Sequence, residues 1–319
     1  MFSLKKVGKS IEIAASRLKQ HCILSYLMNA CGGRELLDNY PPKAASKPCE
    51  PLSAHSPIWT CWWQGEEQMP PVVKACYAAM KRCAGAHPVI LITQHNFADY
   101  VTMPDYVLEK QRRGIIDLTH FSDILRMMLL REHGGIWMDS TLLIPSGKLD
   151  DFIPPGTDYW SCHHITRYRN VSRGGWVSFF VAAGKGHILP SFIADLHLSY
   201  WKRRNRLVDY LLLDYCFAVA RRELPEVQRL IENLPLSEMG PLGKQLNEPF
   251  TEEGWHEACT RYRFHKITYK IPLHTHTPDG RLTNYGHILE EFPLDLPNSG
   301  KEGEREGENG KNCVKNVWG

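Results

Sequence analysis

The chain has no C-x-x-C pair. Its ten cysteines fall at positions 22, 31, 49, 61, 76, 83, 162, 216, 259 and 313, several inside helix or strand patterns where a thiol serves as a small apolar residue. That spacing argues against a zinc ribbon and against a secreted disulfide scaffold, and predicts reduced thiols in a cytoplasmic protein. Long apolar runs are missing too. Stretches such as "WVSFFVAAG" fall far short of the roughly 20 residues a membrane-spanning helix needs, and the first 28 residues hold neither a continuous hydrophobic segment nor a cleavage site of the signal-peptide kind. Nor is charge of one sign concentrated. Lys and Arg number 38 against 35 Asp and Glu, a formal net charge of +3, which lacks the basic footprint of a nucleic-acid binder. There is no internal repeat, and no G-x-S-x-G surrounds Ser140, so that serine is no nucleophile elbow.

What is present suits one large core. The 319 residues are 43% hydrophobic, enough for a single α/β domain with an annex. Residues 1–55 read as a helical extension followed by a Pro- and Ser-rich linker, "NYPPKAASKPCEPLSAHSP". The extension has a basic, amphipathic pattern with Ile11, Ala14, Ala15, Leu18, Cys22 and Ile23 near one face. Docking on the protein's own core is the expected use of that face, with peripheral attachment at the inner face of the cell membrane as the rival. Residues 56–297 form the main domain, divided near residue 150. The charged, glycine-rich stretch 298–319 is expected to be disordered.

Within the main domain the hydrophobic period alternates. "PIWTCWWQG" (57–65) reads as a strand, 69–83 as a helix with Pro71 in its first turn, and "PVILIT" (88–93) as a strand covered on both faces. A short helix at 105–112 precedes a longer one, with Thr119 as a candidate N-cap and an apolar stripe of Ile124, Leu125, Met128 and Leu129. Gly134 and Gly135 end it in the manner of a left-handed cap, and a strand over 136–144 follows. Strand and helix in alternation imply a mostly parallel α/β sheet.

The strand "IWMDSTLLI" poses the functional question, because Asp139 interrupts its apolar run. A buried carboxylate costs several kcal/mol unless paired. In open α/β sheets ligands bind beyond the carboxyl ends of the strands, the edge at which Trp62, Trp63 and Gln64 leave the first strand. Asp123 and Arg126, three apart on the preceding helix, share a face. An acid, an acid–base pair and aromatic rings therefore converge on one crevice.

"FSDILRMMLLREHGGIWMDSTLL" resembles the core motif of the capsular polysaccharide synthesis protein family, within the wider set of DXD sugar transferases of the GT-A fold that includes mannosyltransferases and glucosylating bacterial toxins. "PIWTCWWQG" and "RFHKITYKI" (263–271) are similar to that family's first strand and closing segment, so the resemblance spans residues 56–272. It implies a GT-A type α/β fold with helical additions, whose nucleotide half is about 56–150 and whose acceptor half is about 151–297. It implies a glycosyltransferase of hexosyltransferase type that moves a sugar from a UDP- or GDP-sugar to a surface polysaccharide or its lipid-linked precursor, with retention. In this reading Asp139 meets a divalent cation, Mn2+ or Mg2+, and the donor diphosphate, with His265 as a second metal ligand. Asp123 receives donor-sugar hydroxyls. Arg126, Ser122 and Ser140 border the donor, Trp59 or Trp63 stacks on the base beside Gln64, and His265 and Lys266 close over the diphosphate. Such a cation would neutralise charge that grows on the leaving group. The chain departs from the strict pattern at Thr141, which stands where DXD proteins carry a second Asp.

Blander roles compete for each residue. Asp123 and Arg126 could form an ordinary helical ion pair, the tryptophans could fill core space, and His265 could be a packing histidine. Trp176, expected on a short strand, and Asp209, at the start of a helix over 208–224, are weaker acceptor-side candidates. Two other functional classes stay open: a nucleotide-sugar-binding relative without catalysis, kept alive by Thr141, and a metal-dependent hydrolase using Asp139 and His265.

Overall fold

The computed structural model describes residues 2–40, 49–163 and 170–293, with residues 2–11 described by their backbone. The stretch 298–319 and residues 41–48 of the Pro/Ser-rich linker lie outside the described residues. The elements run α1 (Phe2–Ala30), α2 (Gly33–Leu37), β1 (Ile58–Cys61), α3 (Pro71–Cys83), β2 (Val89–Ile92), α4 (Asp105–Arg112), α5 (Leu118–His133), β3 (Gly135–Met138), β4 (Leu142–Leu143), β5 (Tyr159–Ser161), β6 (Phe180–Ala183), α6 (Ile188–Arg203), α7 (Leu212–Glu223), α8 (Pro225–Glu232), α9 (Glu252–Glu257), β7 (His265–Lys266) and α10 (Asn284–Glu291).

The main sheet has the order β2-β1-β3-β6-β5. β1 is parallel to both β2 and β3, while β6 is antiparallel to β3 and β5 is antiparallel to β6. Four strands thus point one way and β6 alone is reversed, the mostly parallel sheet that the alternating period implies. Side chains on β3 alternate between two cores. Ile136 and Met138 join the layer with α3 and α10. Trp137 joins the larger layer built on α5, α6 and α7.

The turn between α5 and β3 shows why two glycines stand together. Gly134 has φ 67 and Gly135 φ 105, both in the left-handed region that favours glycine. A Cβ on Gly135 would strike the Pro57 carbonyl and the Trp59 indole. Trp59 Nε1 donates to the Gly134 carbonyl at 2.8 Å, tying the end of α5 to β1.

Three local expectations are corrected. The N-cap of α5 is Asp117, whose side chain accepts from His120 N at 2.8 Å; Thr119 already lies inside the helix. The strand expected over 136–144 is two strands in different sheets, broken at Asp139 by a turn. The α1 face is also different. Ala14, Ala15 and Cys22 are exposed and Leu18 is 65% exposed. The helix buries Gln20, Ile23, Leu27 and Met28 against the α6 and α7 layer. Of the expected face Ile23 is buried, and Leu27 and Met28 are buried with it because their larger side chains remove more apolar area from water than alanine or cysteine would. The Ile11 side chain lies outside the described residues. No helix among the described residues is long and apolar enough to cross a membrane.

Candidate active site

β1 and β3 are parallel neighbours, so their carboxyl ends emerge at one edge of the sheet. After Met138 the backbone turns sharply: Asp139 N donates to the Phe179 carbonyl at 2.9 Å, and the Asp139 carbonyl accepts from Leu142 N at 2.8 Å. The chain then leaves the main sheet, and β4 pairs with β7, with Leu142 opposite Lys266. This exchange of sheets sets Lys266 against Asp139, and its Nζ donates to Oδ2 at 2.5 Å. Trp137 Nε1 donates to Oδ1 at 2.7 Å, and Arg126 Nη2 lies 3.5 Å from the same oxygen.

Arg126 is fixed on several sides. Its Nη2 is 3.2 Å from Asp123 Oδ1, Nη1 donates to the Ser178 carbonyl at 2.7 Å, and Nη2 donates to Ser122 Oγ at 3.3 Å. The guanidinium lies 4.8 Å from the Trp137 ring centroid, within cation–π reach. Burial would push the Asp139 carboxyl up, but the ammonium of Lys266 and the guanidinium of Arg126, with hydrogen bonds from Lys266 and Trp137, hold it below the usual carboxylate range. Asp123 behaves oppositely. It is 7% exposed, and burial raises it despite Arg126.

Arg126, Trp137, Asp139 and Lys266 border a cleft of about 330 Å³. Trp62 and Trp63 leave β1 at one side of it, and Trp63 stands against Phe97 and Phe121 at centroid distances of 5.3 and 5.0 Å. Ser122, Ser140 and Thr141 also line the wall. Asp123 sits behind Arg126 and reaches the cleft only through it.

Other expected residues lie elsewhere. Trp59 is 2% exposed and serves the glycine turn. Gln64 does not line the cleft. His265 points away from it, because neighbours on a strand face opposite sides and Lys266 takes the cleft side. The His265 ring is fully buried, Nε2 donates to the Ala258 carbonyl at 3.1 Å, and a Cβ on Gly240 would overlap it. Burial lowers its pKa, which keeps the imidazole neutral. Trp176 precedes β6 and is in the core, with Nε1 donating to Asp214 Oδ1 at 2.8 Å and its ring stacked on Phe217. Asp209 is 2.6 Å from Lys19 of α1 and caps Leu211 N at 2.8 Å. Its neighbour Tyr210, 64% exposed, is the one that borders the cleft.

Tyr269 and Lys270 are cleft residues that the pattern of the sequence leaves unassigned, and Tyr210, whose pairing with Asp209 resembles an Asp-Tyr pair of the capsular polysaccharide synthesis family, lines the cleft with them. Period-two alternation along "KITYK" over 266–270 sets Lys270 on the side of Lys266, while nothing in the pattern marks Tyr269. Arg126, Lys266 and Lys270 bring three cations to a site with two carboxylates, a balance that favours an anionic ligand.

A resident divalent cation would need several hard ligands. No group of three His, Cys, Asp or Glu among the described residues could hold one, and His265 is turned into the core. The cleft itself offers the Asp139 carboxylate with the Ser140 and Thr141 hydroxyls. That donor set fits an ion brought in with a diphosphate, since magnesium sites commonly combine one or two carboxylates with substrate phosphates.

Residues 7–288 match the model of the family described as capsular polysaccharide synthesis protein, and the chain belongs to that family. No curated protein matches the chain. Among solved structures, one titled "PaToxG Glycosyltransferase" is similar at 15% identity, covering 81% of this chain and 96% of that chain with a TM-score of 0.39. A bacterial N-acetylglucosamine transferase, NleB, is similar at 13% identity, covering 64% of this chain and 95% of that chain with a TM-score of 0.30.

Proposed function

We propose that the protein is a GT-A type glycosyltransferase that moves a hexosyl group from a UDP- or GDP-sugar to a surface polysaccharide or its lipid-linked precursor, with retention, on the cytoplasmic side. The observation that carries this reading is the convergence of Arg126, Lys266 and Lys270 around Asp139, at the carboxyl ends of parallel strands and beside the Trp63 ring. Two adjacent phosphates would meet fixed cations there, and an aromatic face stands ready for a base.

Arg126 is held by Asp123, Ser122 and Ser178, so it needs no reorganisation to receive negative charge. Lys266 can move from Asp139 to a phosphate oxygen with little change in chain path. Asp123 acts as a positioning residue for Arg126. Asp139 stays ionised at neutral pH and, with the hydroxyls of Ser140 and Thr141, would hold a divalent ion. When bound, Mn2+ or Mg2+ supplies neutralisation of the leaving diphosphate. The nucleotide half at 56–150 supplies most of these groups, and the acceptor half at 151–297 contributes Tyr210 and the 266–270 segment.

The decisive measurement is incubation with a panel of UDP- and GDP-sugars, with and without manganese. Slow release of a nucleoside diphosphate from one donor, lost in Asp139→Asn, is the expected result. Donor binding without turnover at any metal concentration would instead favour the non-catalytic relative that Thr141 suggests. Analysis of the anomer in the first product checks retention.

A further inference from the structure

A second groove lies outside the cleft, between α1, residues 171–176, α7 and α8, with a volume of about 510 Å³. Arg17, His21, Arg173, Arg221 and Arg222 line it, and no Asp or Glu does. Arg221 and Arg222 are partly balanced by Glu232 at 3.5 Å and Glu223 at 2.6 Å. Arg17 and Arg173 have no acidic partner among the described residues. Arg173 also adopts φ 49, a left-handed backbone that costs a bulky residue energy and that clusters at ligand sites. Trp176, with Nε1 bonded to Asp214, also lines the groove.

The face of α1 beside this groove is equally unusual. Ala14, Ala15, Leu18 and Cys22 form an exposed apolar stripe. At 100° per residue, Arg17 and His21 fall between that stripe and the buried face. A basic groove flanked by unpartnered aliphatic side chains on one helix is the pattern of an interfacial element. An acidic saccharide would account for the arginines and leave the exposed Leu18 unexplained.

We infer that this flank docks on an anionic membrane surface, with the groove receiving the phosphate of a lipid headgroup and the Ala14–Cys22 stripe resting at the acyl boundary. Arginine suits the first role because its planar fork matches phosphate oxygens. The stripe is small, so attachment depends on the charges and weakens with salt. The inference stands apart from sugar transfer, since none of these residues borders the cleft.

The test is co-sedimentation of the full chain with vesicles of phosphatidylcholine alone or mixed with phosphatidylglycerol. Binding to the mixed vesicles, suppressed by salt, is the expected result. The double variant Arg17→Glu, Arg173→Glu should bind tenfold or more weakly, by the attraction each basic residue feels near an anionic leaflet. Leu18→Asp should weaken binding while leaving the groove intact. Thermal unfolding of each variant confirms that these exposed changes leave the fold unaltered. Equal pelleting with neutral vesicles, or undiminished binding by the double variant, would overturn the assignment. So would binding of inorganic pyrophosphate or of an acidic polysaccharide at this groove by a protein that ignores vesicles.

Discussion

Two tryptophan–aspartate pairs in this molecule share one geometry and differ in the pH range over which the acid ionises. Trp137 Nε1 donates to Asp139 Oδ1 at 2.7 Å, and Trp176 Nε1 donates to Asp214 Oδ1 at 2.8 Å. Burial acts on both carboxyls. At Asp139 it is outweighed by Lys266 and Arg126, and the acid is held below the usual range. At Asp214 burial prevails, only partly countered by the Trp176 bond, and the pKa is pushed up to about 6. An indole hydrogen bond alone therefore does not offset the upward push of burial on a carboxyl; nearby cations do. Asp139 borders a cleft with those cations, whereas Asp214, in the first turn of α7, is bonded to the core indole of Trp176.

The largest expected effect removes the charge from the first pair. Asp139→Asn should lower transfer by a factor on the order of 10²–10³, the scale of losing one fixed electrostatic contact to a reacting group. Circular dichroism should show an unchanged fold, because the amide can still accept from Trp137. Turnover like that of the unaltered chain would remove Asp139 from the site. Arg126→Ala should both weaken donor binding and destabilise the fold by about 3 kcal/mol, since Asp123 would be left as an uncompensated buried acid. Adding Asp123→Asn to that variant should restore much of the stability but not the affinity. Denaturant titration and donor binding separate the two effects.

Much of this contrast is legible in the sequence. Asp139 stands out because a charge inside an apolar run demands a partner, Arg126 because it shares a helix face with Asp123, and Gly134-Gly135 marks the turn by its backbone requirement. The partner itself is not legible. Lys266 lies 127 residues away along the chain, and its approach depends on the chain leaving one sheet for another at Asp139. β7 is two residues long, too short for alternation to say which of His265 and Lys266 faces the cleft. Trp59 carries no mark of its bond to the Gly134 carbonyl, and Asp209 none of its pairing with Lys19.

The second pair predicts a pH effect of definite sign. Asp214 is ordinarily protonated below 3.8 and in the fold below about 6, so its contribution to stability is complete below pH 3.8 and is lost as pH rises through 6. The difference corresponds to roughly 3 kcal/mol at 1.36 kcal/mol per pH unit. Asp214→Asn should flatten that slope and raise the thermal midpoint at pH 7 relative to the unaltered chain. Parallel midpoint curves between pH 4 and 7 would show that Asp214 does not titrate there.

The smallest effects come from the indoles themselves, and they should differ between the pairs. Phenylalanine in place of either buried tryptophan removes one hydrogen bond, worth about 1–2 kcal/mol to a carboxyl, along with packing around the lost ring. At Trp137→Phe the carboxyl of Asp139 retains Lys266 and Arg126, so the acid limb of donor binding should barely move. At Trp176→Phe the carboxyl of Asp214 loses the largest influence holding it down, and its titration should shift further above 6, widening the window over which stability falls with pH. Measuring both variants by carboxyl titration and thermal midpoint tests the contrast directly. Equal shifts at the two sites would mean that the indole, and not the cations, sets the charge of Asp139.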